Sequence, residues 1–216
     1  MARLSNSFRN LTYSFTGYGL KTLVQFVSRT VFIQVLGREY LGLSGLFSNI
    51  LMMLSLAELG FGEAITFSLY APLARDDRQA IRGLMHLFRR VYLAVGAFVL
   101  VAGLALTPFL QLFVINSALS YLNTYKRTLI IADQKQYIVS GYTYGCAICM
   151  NVLQTIFLLI SKDYFIFLAI MVAFTVIENL LLTRKANGLY PFLKESGEDK
   201  LSKEMTAPIM RNIRAM

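Results

Sequence analysis

Polar side chains inside otherwise apolar stretches carry the clearest chemical potential in this sequence. Lys21, Gln25 and Arg29 follow one another at intervals of four residues. On a helix this spacing turns each side chain about 40° from the last, so the three form one polar stripe. A cation at the centre of a membrane helix costs about 2.5–3.5 kcal/mol on insertion scales and needs a compensating partner. The stripe therefore predicts either a structural charge pair or a surface that binds an anionic substrate.

Two carboxylates in the next apolar stretch, Glu58 and Glu63, are possible partners for this stripe. At the helical rise, Lys21 lies about 15 Å from the inner membrane edge, level with both glutamates, whereas Arg29 lies about 27 Å deep. In one interpretation Lys21 pairs with Glu58 or Glu63 as a structural contact. In the other, the cations line a cavity for an anionic ligand. No acidic residue lies at the depth of Arg29, which makes it the better candidate for substrate contact.

The sequence shows no signature of catalysis, of a cofactor or of a metal site. It contains a single histidine, His86, and two cysteines, Cys146 and Cys149, in a Cys-x-x-Cys spacing. A zinc site would need further thiolates or imidazoles nearby, so we interpret both cysteines as small buried apolar side chains. We predict that the chain is not an enzyme.

The composition of the chain favours a membrane protein. Of 216 residues, 56% are hydrophobic and 15% are charged, against about 25% charged in an ordinary soluble domain. The net charge of +9 is compatible with nucleic-acid binding, but basic cytoplasmic loops explain it without a further partner. We therefore predict the lipid bilayer, and not nucleic acid, as the main environment.

Charge-poor windows long enough to cross a bilayer predict an all-α polytopic transmembrane bundle over residues 1–190, followed by a cytoplasmic polar tail over 191–216. Residues 91–125 carry no charge and fit two short helices that meet near Thr107-Pro108. The predicted spans are about 11–36, 40–70, 91–107, 109–125, 137–160 and 164–185.

Three smaller features complete this map. Residues 71–90 mix arginines with apolar residues and predict a short interfacial helix. Gly141 and Gly145 predict close helix packing in the fifth span, and Glu178 is expected to snorkel toward the inner membrane surface.

The distribution of basic residues orients these spans. With six crossings and both termini in the cytoplasm, only Arg38 and Lys162 among the loop cations fall outside. A single crossing over residues 91–125 would divide the cations almost evenly between the two sides. The positive-inside rule therefore favours six spans.

Several ordered motifs resemble the bacterial polysaccharide flippases of the Wzx type, in the multidrug/oligosaccharidyl-lipid/polysaccharide exporter superfamily. The resemblance covers nearly the whole chain. The motifs are Val35-Leu36-Gly37, Tyr40-Leu41-Gly42-Leu43, Leu56-Ala57-Glu58-Leu59-Gly60-Phe61-Gly62-Glu63-Ala64, Leu69-Tyr70-Ala71-Pro72-Leu73-Ala74, Tyr125-Lys126-Arg127-Thr128 and Ala132-Asp133-Gln134-Lys135.

This resemblance implies one lobe of a two-lobe transporter in the bacterial inner membrane. The implied substrate is an undecaprenyl-pyrophosphate-linked oligosaccharide, with Lys21, Gln25 and Arg29 facing the central cavity and the two cations meeting the pyrophosphate. Such proteins are about twice as long as this chain. We therefore expect Arg29 on an open concave face and expect a second lobe, or a second copy, to be required for transport.

Two alternatives stay open at this point. In one alternative, the chain is a cation-coupled multidrug antiporter of the same superfamily, with Glu58 and Glu63 as the ion site. In the other it is a non-transporting membrane fragment or assembly subunit.

Overall fold

The computed structural model describes residues 2–55, 61–103 and 108–194, and these ranges contain helices and no β-strand. Apolar stretches favour helices because a helix satisfies its own backbone hydrogen bonds without water. The all-α prediction is therefore confirmed for the described residues. The elements are α1 (Ala2–Leu36), α2 (Arg38–Ser55), α3 (Phe61–Ala74), α4 (Arg78–Gly103), α5 (Pro108–Tyr121), α6 (Thr124–Ala132), α7 (Gln136–Ser161), α8 (Tyr164–Leu189) and a 3-10 turn (Pro191–Lys194).

Gly37 makes the turn between the first two helices. Its φ of +91° lies in the left-handed region that glycine adopts without steric cost. Its N–H donates to the carbonyl oxygen of Ile33 at 3.0 Å, which closes the end of α1. The first predicted span therefore ends where α1 ends, whereas the helix itself begins well before residue 11.

The region predicted as one second span, 40–70, corresponds to α2 and α3. The structure describes 18 residues in α2 and 14 residues in α3. Residues 56–60, which include Gly60 and Glu58, lie outside the described residues.

The segment 71–90 does not form a separate interfacial helix, and that prediction is wrong. The carboxylate of Asp77 accepts a hydrogen bond from the N–H of Ala80 at 3.0 Å and so begins α4. From there α4 continues without a break through Gly103. The apolar side of its first half packs on protein rather than on a lipid leaflet, because these side chains are buried: Ile81, Leu84, Met85 and Phe88.

In the charge-free region 91–125 the structure describes the second half of α4, α5 (Pro108–Tyr121) and the first residues of α6. The predicted meeting of two helices near Thr107-Pro108 stays a prediction. Residues 104–107 lie outside the described residues. Since α5 ends at Tyr121, it ends four residues before the predicted span 109–125 does. The last residues of that span belong to α6, a separate helix that packs against α3, α4, α7 and α8.

Two of the described helices, α7 and α8, are long and apolar enough to cross a membrane. They match the fifth and sixth predicted spans. They run antiparallel, because only Lys162 and Asp163 separate them. We call the end of this hairpin that holds Lys162 the turn end, and the opposite end, with Gln136 and Leu189, the basic end. The bundle of about six spans stays a prediction.

Buried apolar side chains form one cluster at each end of the α7–α8 hairpin. The cluster at the basic end also takes in the start of the predicted tail, because Phe192 and Leu193 pack against it. The rest of that tail, residues 195–216, lies outside the described residues. The basic-end cluster includes Leu69, Leu84, Phe88, Leu129, Ile130, Val139, Leu182, Ala186 and Tyr190. The turn-end cluster comprises Phe32, Phe47, Phe113, Leu158, Tyr164 and Leu168.

Candidate functional site

The first helix packs chiefly along α7 and uses one narrow face to do so. Buried and half-buried positions recur along α1 at alternating intervals of three and four residues, the spacing of a helix–helix seam. Small side chains let the two helices approach closely. A Cβ at Gly17 would lie only 2.5 Å from Cδ2 of Tyr144. The seam positions are Asn10, Ser14, Gly17, Lys21, Val24, Ser28 and Val31.

The polar stripe of α1 divides at this seam. Lys21 is half-buried on it, whereas Gln25 and Arg29 are exposed. The four-residue spacing carries each successive side chain about 40° further round the helix, so the stripe drifts off the α7 contact. Arg29 is thus exposed, and the open concave face expected around it stays a prediction. The contact of Arg29 with a substrate stays a prediction.

The surface around the exposed stripe is strongly apolar. Phe26 and Val27, the near neighbours of Gln25 and Arg29, are 72% and 57% exposed. Leu23 and Val27 of α1 also line an open apolar groove with Val152 and Ile156 of α7. A soluble monomer rarely exposes such a continuous apolar surface, which is typical of contact with lipid or another protein.

The two acidic candidates are not placed by the structure. Glu58 lies outside the described residues, and Glu63 lies in α3 without a described side chain. The predicted pairing of Lys21 with either glutamate therefore stays a prediction. Among the described carboxylates, none lies within ion-pair distance of Lys21.

A charged cluster that the sequence did not predict lies between α6, α7 and α8. Arg127 forms an ion pair with Glu178, and both side chains contact the hydroxyl of Thr143. That hydroxyl accepts from Arg127 and donates to Glu178, each at 2.8 Å. Glu178 therefore does not snorkel to the membrane surface as predicted, because a cation reaches it inside the bundle. The signal in the sequence was a lone carboxylate in an apolar window, which normally requires a partner.

Small-residue packing on α7 also differs from the prediction. A Cβ at Gly141 would meet the ring of Tyr13 at 3.7 Å, an ordinary contact, whereas a Cβ at Gly145 would meet nothing within 4 Å. Of the two cysteines, Cys146 is buried as expected and Cys149 is exposed. The seam with α1 follows Gly141 and Tyr144 rather than the Gly-x-x-x-Gly pair.

Positive charge gathers at the basic end of the hairpin. The side chain of Asn10 there accepts a hydrogen bond from the N–H of Tyr137 at 2.6 Å, which fixes the start of α1 beside the start of α7. Basic side chains stack over aromatic rings at the same end. These pairs are Arg9 over Tyr137, Arg78 over Phe192 and Lys135 over Tyr190.

The turn end carries far less positive charge. Ser44 and Tyr164 share a 2.7 Å hydrogen bond that brings the first part of α2 to this end. Arg38 begins α2, and Lys162 lies in the link between α7 and α8. The two cations that the topology prediction left outside thus lie at one end, opposite the basic end.

No protein-family model, curated protein sequence or solved structure matches the chain.

Proposed function

We propose that this chain is a multipass membrane protein equivalent to the N-terminal lobe of a polysaccharide lipid flippase. Three features support the proposal: the apolar composition, the two helices that are able to cross a membrane, and the ordered motifs that resemble Wzx-type flippases. The substrate in this proposal is an undecaprenyl-pyrophosphate-linked oligosaccharide for capsule, O-antigen or exopolysaccharide export.

The proposed orientation places the basic end in the cytoplasm of a bacterial cell. Lys and Arg are retained on the cytoplasmic side of inner-membrane proteins, and the stacked cations Arg9, Arg78 and Lys135 lie at that end. Arg38 and Lys162 then lie on the outer side. Both termini are cytoplasmic in this orientation.

One observation carries the proposal of a substrate site: Arg29 is an exposed cation on an exposed apolar helix face. A guanidinium binds phosphate oxygens through paired hydrogen bonds. The neighbouring apolar side chains, Phe26 and Val27, suit an isoprenoid chain. In the proposal Arg29 contacts the pyrophosphate, Gln25 donates a further hydrogen bond, and Lys21 adds positive charge from the edge of the seam.

The uncovered face of α1 also supports a requirement for a second lobe. The described helices cover α1 chiefly on its α7 side, so a substrate on the opposite face has protein on one side only. A second lobe, or a second copy of the chain, would complete the cavity and exclude lipid from the sugar path.

Complementation of a flippase-deficient strain tests this proposal. The chain should restore surface polysaccharide when it is fused to, or expressed with, a second lobe, and should fail alone. Arg29→Ala should abolish the restored export, whereas Arg38→Ala, which removes an exposed cation from the turn end, should leave it intact.

Two outcomes would contradict the proposal. Restoration by the chain alone would remove the requirement for a second lobe while keeping the site. No restoration with any second lobe, for a chain that is present in the membrane fraction, would contradict the flippase assignment itself and favour a non-transporting subunit.

A further inference from the structure

A pocket that the substrate proposal does not use opens at the basic end, between α4, α6, the end of α8 and the 3-10 turn. Its volume is about 180 Å³, enough for a phosphate group with a few attached atoms. Among the described residues that line it, none is acidic. They are Arg82, Met85, His86, Arg89, Tyr125, Lys126, Asn187 and Leu193.

The first half of α4 supplies one basic wall. Arg82, His86 and Arg89 follow at intervals of four and three residues, so they share a helix face. That face is fixed because the opposite side of α4 is buried in the basic-end cluster, through Leu84 and Phe88. The guanidinium groups therefore stand on a rigid helix rather than on a mobile loop.

The second wall combines α6 and α8. The ammonium of Lys126 donates to Oδ1 of Asn187 at 3.0 Å and lies 5.7 Å from the ring centroid of Tyr125. Burial raises the pKa of the Tyr125 hydroxyl, and the nearby Arg89 guanidinium opposes that shift. Tyr125 therefore stays a neutral hydrogen-bond donor at physiological pH, beside fixed positive charges.

This combination of groups matches a phosphate oxyanion. Arginine binds phosphate through paired hydrogen bonds, lysine adds a point charge, and tyrosine and asparagine add neutral donors. A nucleic acid would need a basic surface that extends over several phosphates, whereas these groups converge on a single small cavity.

The position of the pocket indicates where the phosphate comes from. With 26 residues, α8 is about 39 Å long and exceeds the about 30 Å hydrocarbon core, so its final residues reach the headgroup layer. Asn187 lies in that last turn. Basic pockets between helices at the cytoplasmic surface are typical binding places for anionic headgroups.

We propose that this pocket binds the phosphate group of an anionic membrane lipid. The lipid source rests on the membrane placement proposed above, whereas the phosphate chemistry rests only on the residues of the pocket. The site is separate from Arg29, and its occupant would anchor the start of α4 to α6 and α8.

Lipid retention by the full chain tests the proposal. The protein is reconstituted in nanodiscs with equal phosphatidylglycerol and phosphatidylcholine, and retained lipids are measured by native mass spectrometry. Wild type should retain phosphatidylglycerol preferentially. In the variant Arg82→Gln/Arg89→Gln, the preference for phosphatidylglycerol over phosphatidylcholine should fall about fivefold for each cation removed. The control Arg75→Gln/Arg90→Gln loses the same charge from exposed sites outside the pocket and should behave as wild type.

A second variant protects the test from a folding defect. Arg89 is exposed, so Arg89→Glu should fold normally and still abolish the preference for phosphatidylglycerol. Equal losses in the pocket variant and the control would indicate diffuse surface electrostatics and overturn the proposal. A wild-type protein that shows no preference for phosphatidylglycerol would also overturn the proposal.

A lipid-free arm distinguishes the two sources of phosphate. Inorganic phosphate should raise the melting temperature of the detergent-purified wild type, and not that of Arg89→Glu, at matched ionic strength. This result supports the phosphate site even if the flippase proposal fails. Stabilisation by inorganic phosphate with no retention of phosphatidylglycerol would overturn the lipid assignment in favour of a soluble ligand. Binding of a single-stranded oligonucleotide in place of lipid would overturn it as well.

Discussion

Arg127 of α6 and Glu178 of α8 form an ion pair although they lie 51 positions apart in the chain. Thr143 of α7 joins the pair through its hydroxyl, so three helices meet at one polar point inside an apolar bundle. The side chains keep 36% and 21% of their exposure. Because α6 has only nine residues, this contact is one of the features that fix its position.

Removing one partner of this pair should destabilise the protein more than removing both. Arg127→Met leaves the Glu178 carboxylate without its cation and should cost about 3 kcal/mol, the lower limit for a buried pair because both groups keep some exposure. The double variant Arg127→Met/Glu178→Met should recover most of that loss. Thermal denaturation in detergent measures both effects. Arg184→Met, which removes an exposed cation from α8, is the control, and additive losses in the double variant would contradict the prediction.

Gly17 should not accept a side chain. A Cβ at this position would lie 2.5 Å from the ring of Tyr144, so Gly17→Ala should force α1 and α7 apart and cost about 1–3 kcal/mol. Gly19 lies on the same helix with nothing within 4 Å of a built Cβ. Gly19→Ala should therefore be neutral or stabilising by up to about 1 kcal/mol. Equal melting temperatures for the two variants would show that the seam does not depend on close approach at Gly17.

The topology prediction can be tested with single cysteines. In a background with Cys146 and Cys149 replaced by alanine, a cysteine at Lys162 should react with a membrane-impermeant maleimide in intact cells. A cysteine at Ser196 should react only after the membrane is permeabilised. This result follows from the gathering of positive charge at the basic end. Labelling of the Ser196 site in intact cells would show that the orientation is wrong.

Tyr190 should make the stability of the protein depend on alkaline pH. Its hydroxyl donates to Oδ2 of Asp133 at 2.7 Å, and burial together with this carboxylate raises the pKa of the phenol well above its usual value. The neutral phenol is therefore the form that stabilises the fold. Its contribution is fully present below about pH 10, the usual pKa of an unfolded tyrosine, and is lost as the pH rises above it.

Above that pH the free energy of unfolding should fall by up to about 1.4 kcal/mol per pH unit from this group. Chemical denaturation between pH 8 and 11 measures the slope. Tyr190→Phe should lower stability at pH 8 and flatten the alkaline slope, whereas Tyr70→Phe, at a half-exposed position, should leave the slope unchanged. An unchanged slope in Tyr190→Phe would contradict the prediction.

Local sequence pattern was sufficient to predict several features of the fold. Long, largely apolar windows predicted helices close to α7 and α8, because an apolar stretch satisfies its backbone hydrogen bonds as a helix. The polar stripe of Lys21, Gln25 and Arg29 also followed from helical geometry alone.

Packing between distant segments fixes which helix faces are covered and which distant residues meet. The spacing of the polar stripe does not indicate which of its members packs on α7. The close contact of Gly17 with Tyr144 sets the α1–α7 seam, so that Lys21 is half-buried on the seam and Arg29 is exposed. The sequence pattern of the first half of α4 predicted an interfacial helix, but in the structure its apolar side is buried in the basic-end cluster. The Arg127–Glu178 pair and the basic pocket both depend on the short helix α6, whose nine residues have too little local signal to be predicted. Their positions follow from packing between residues far apart in the chain, which periodicity in one segment does not encode.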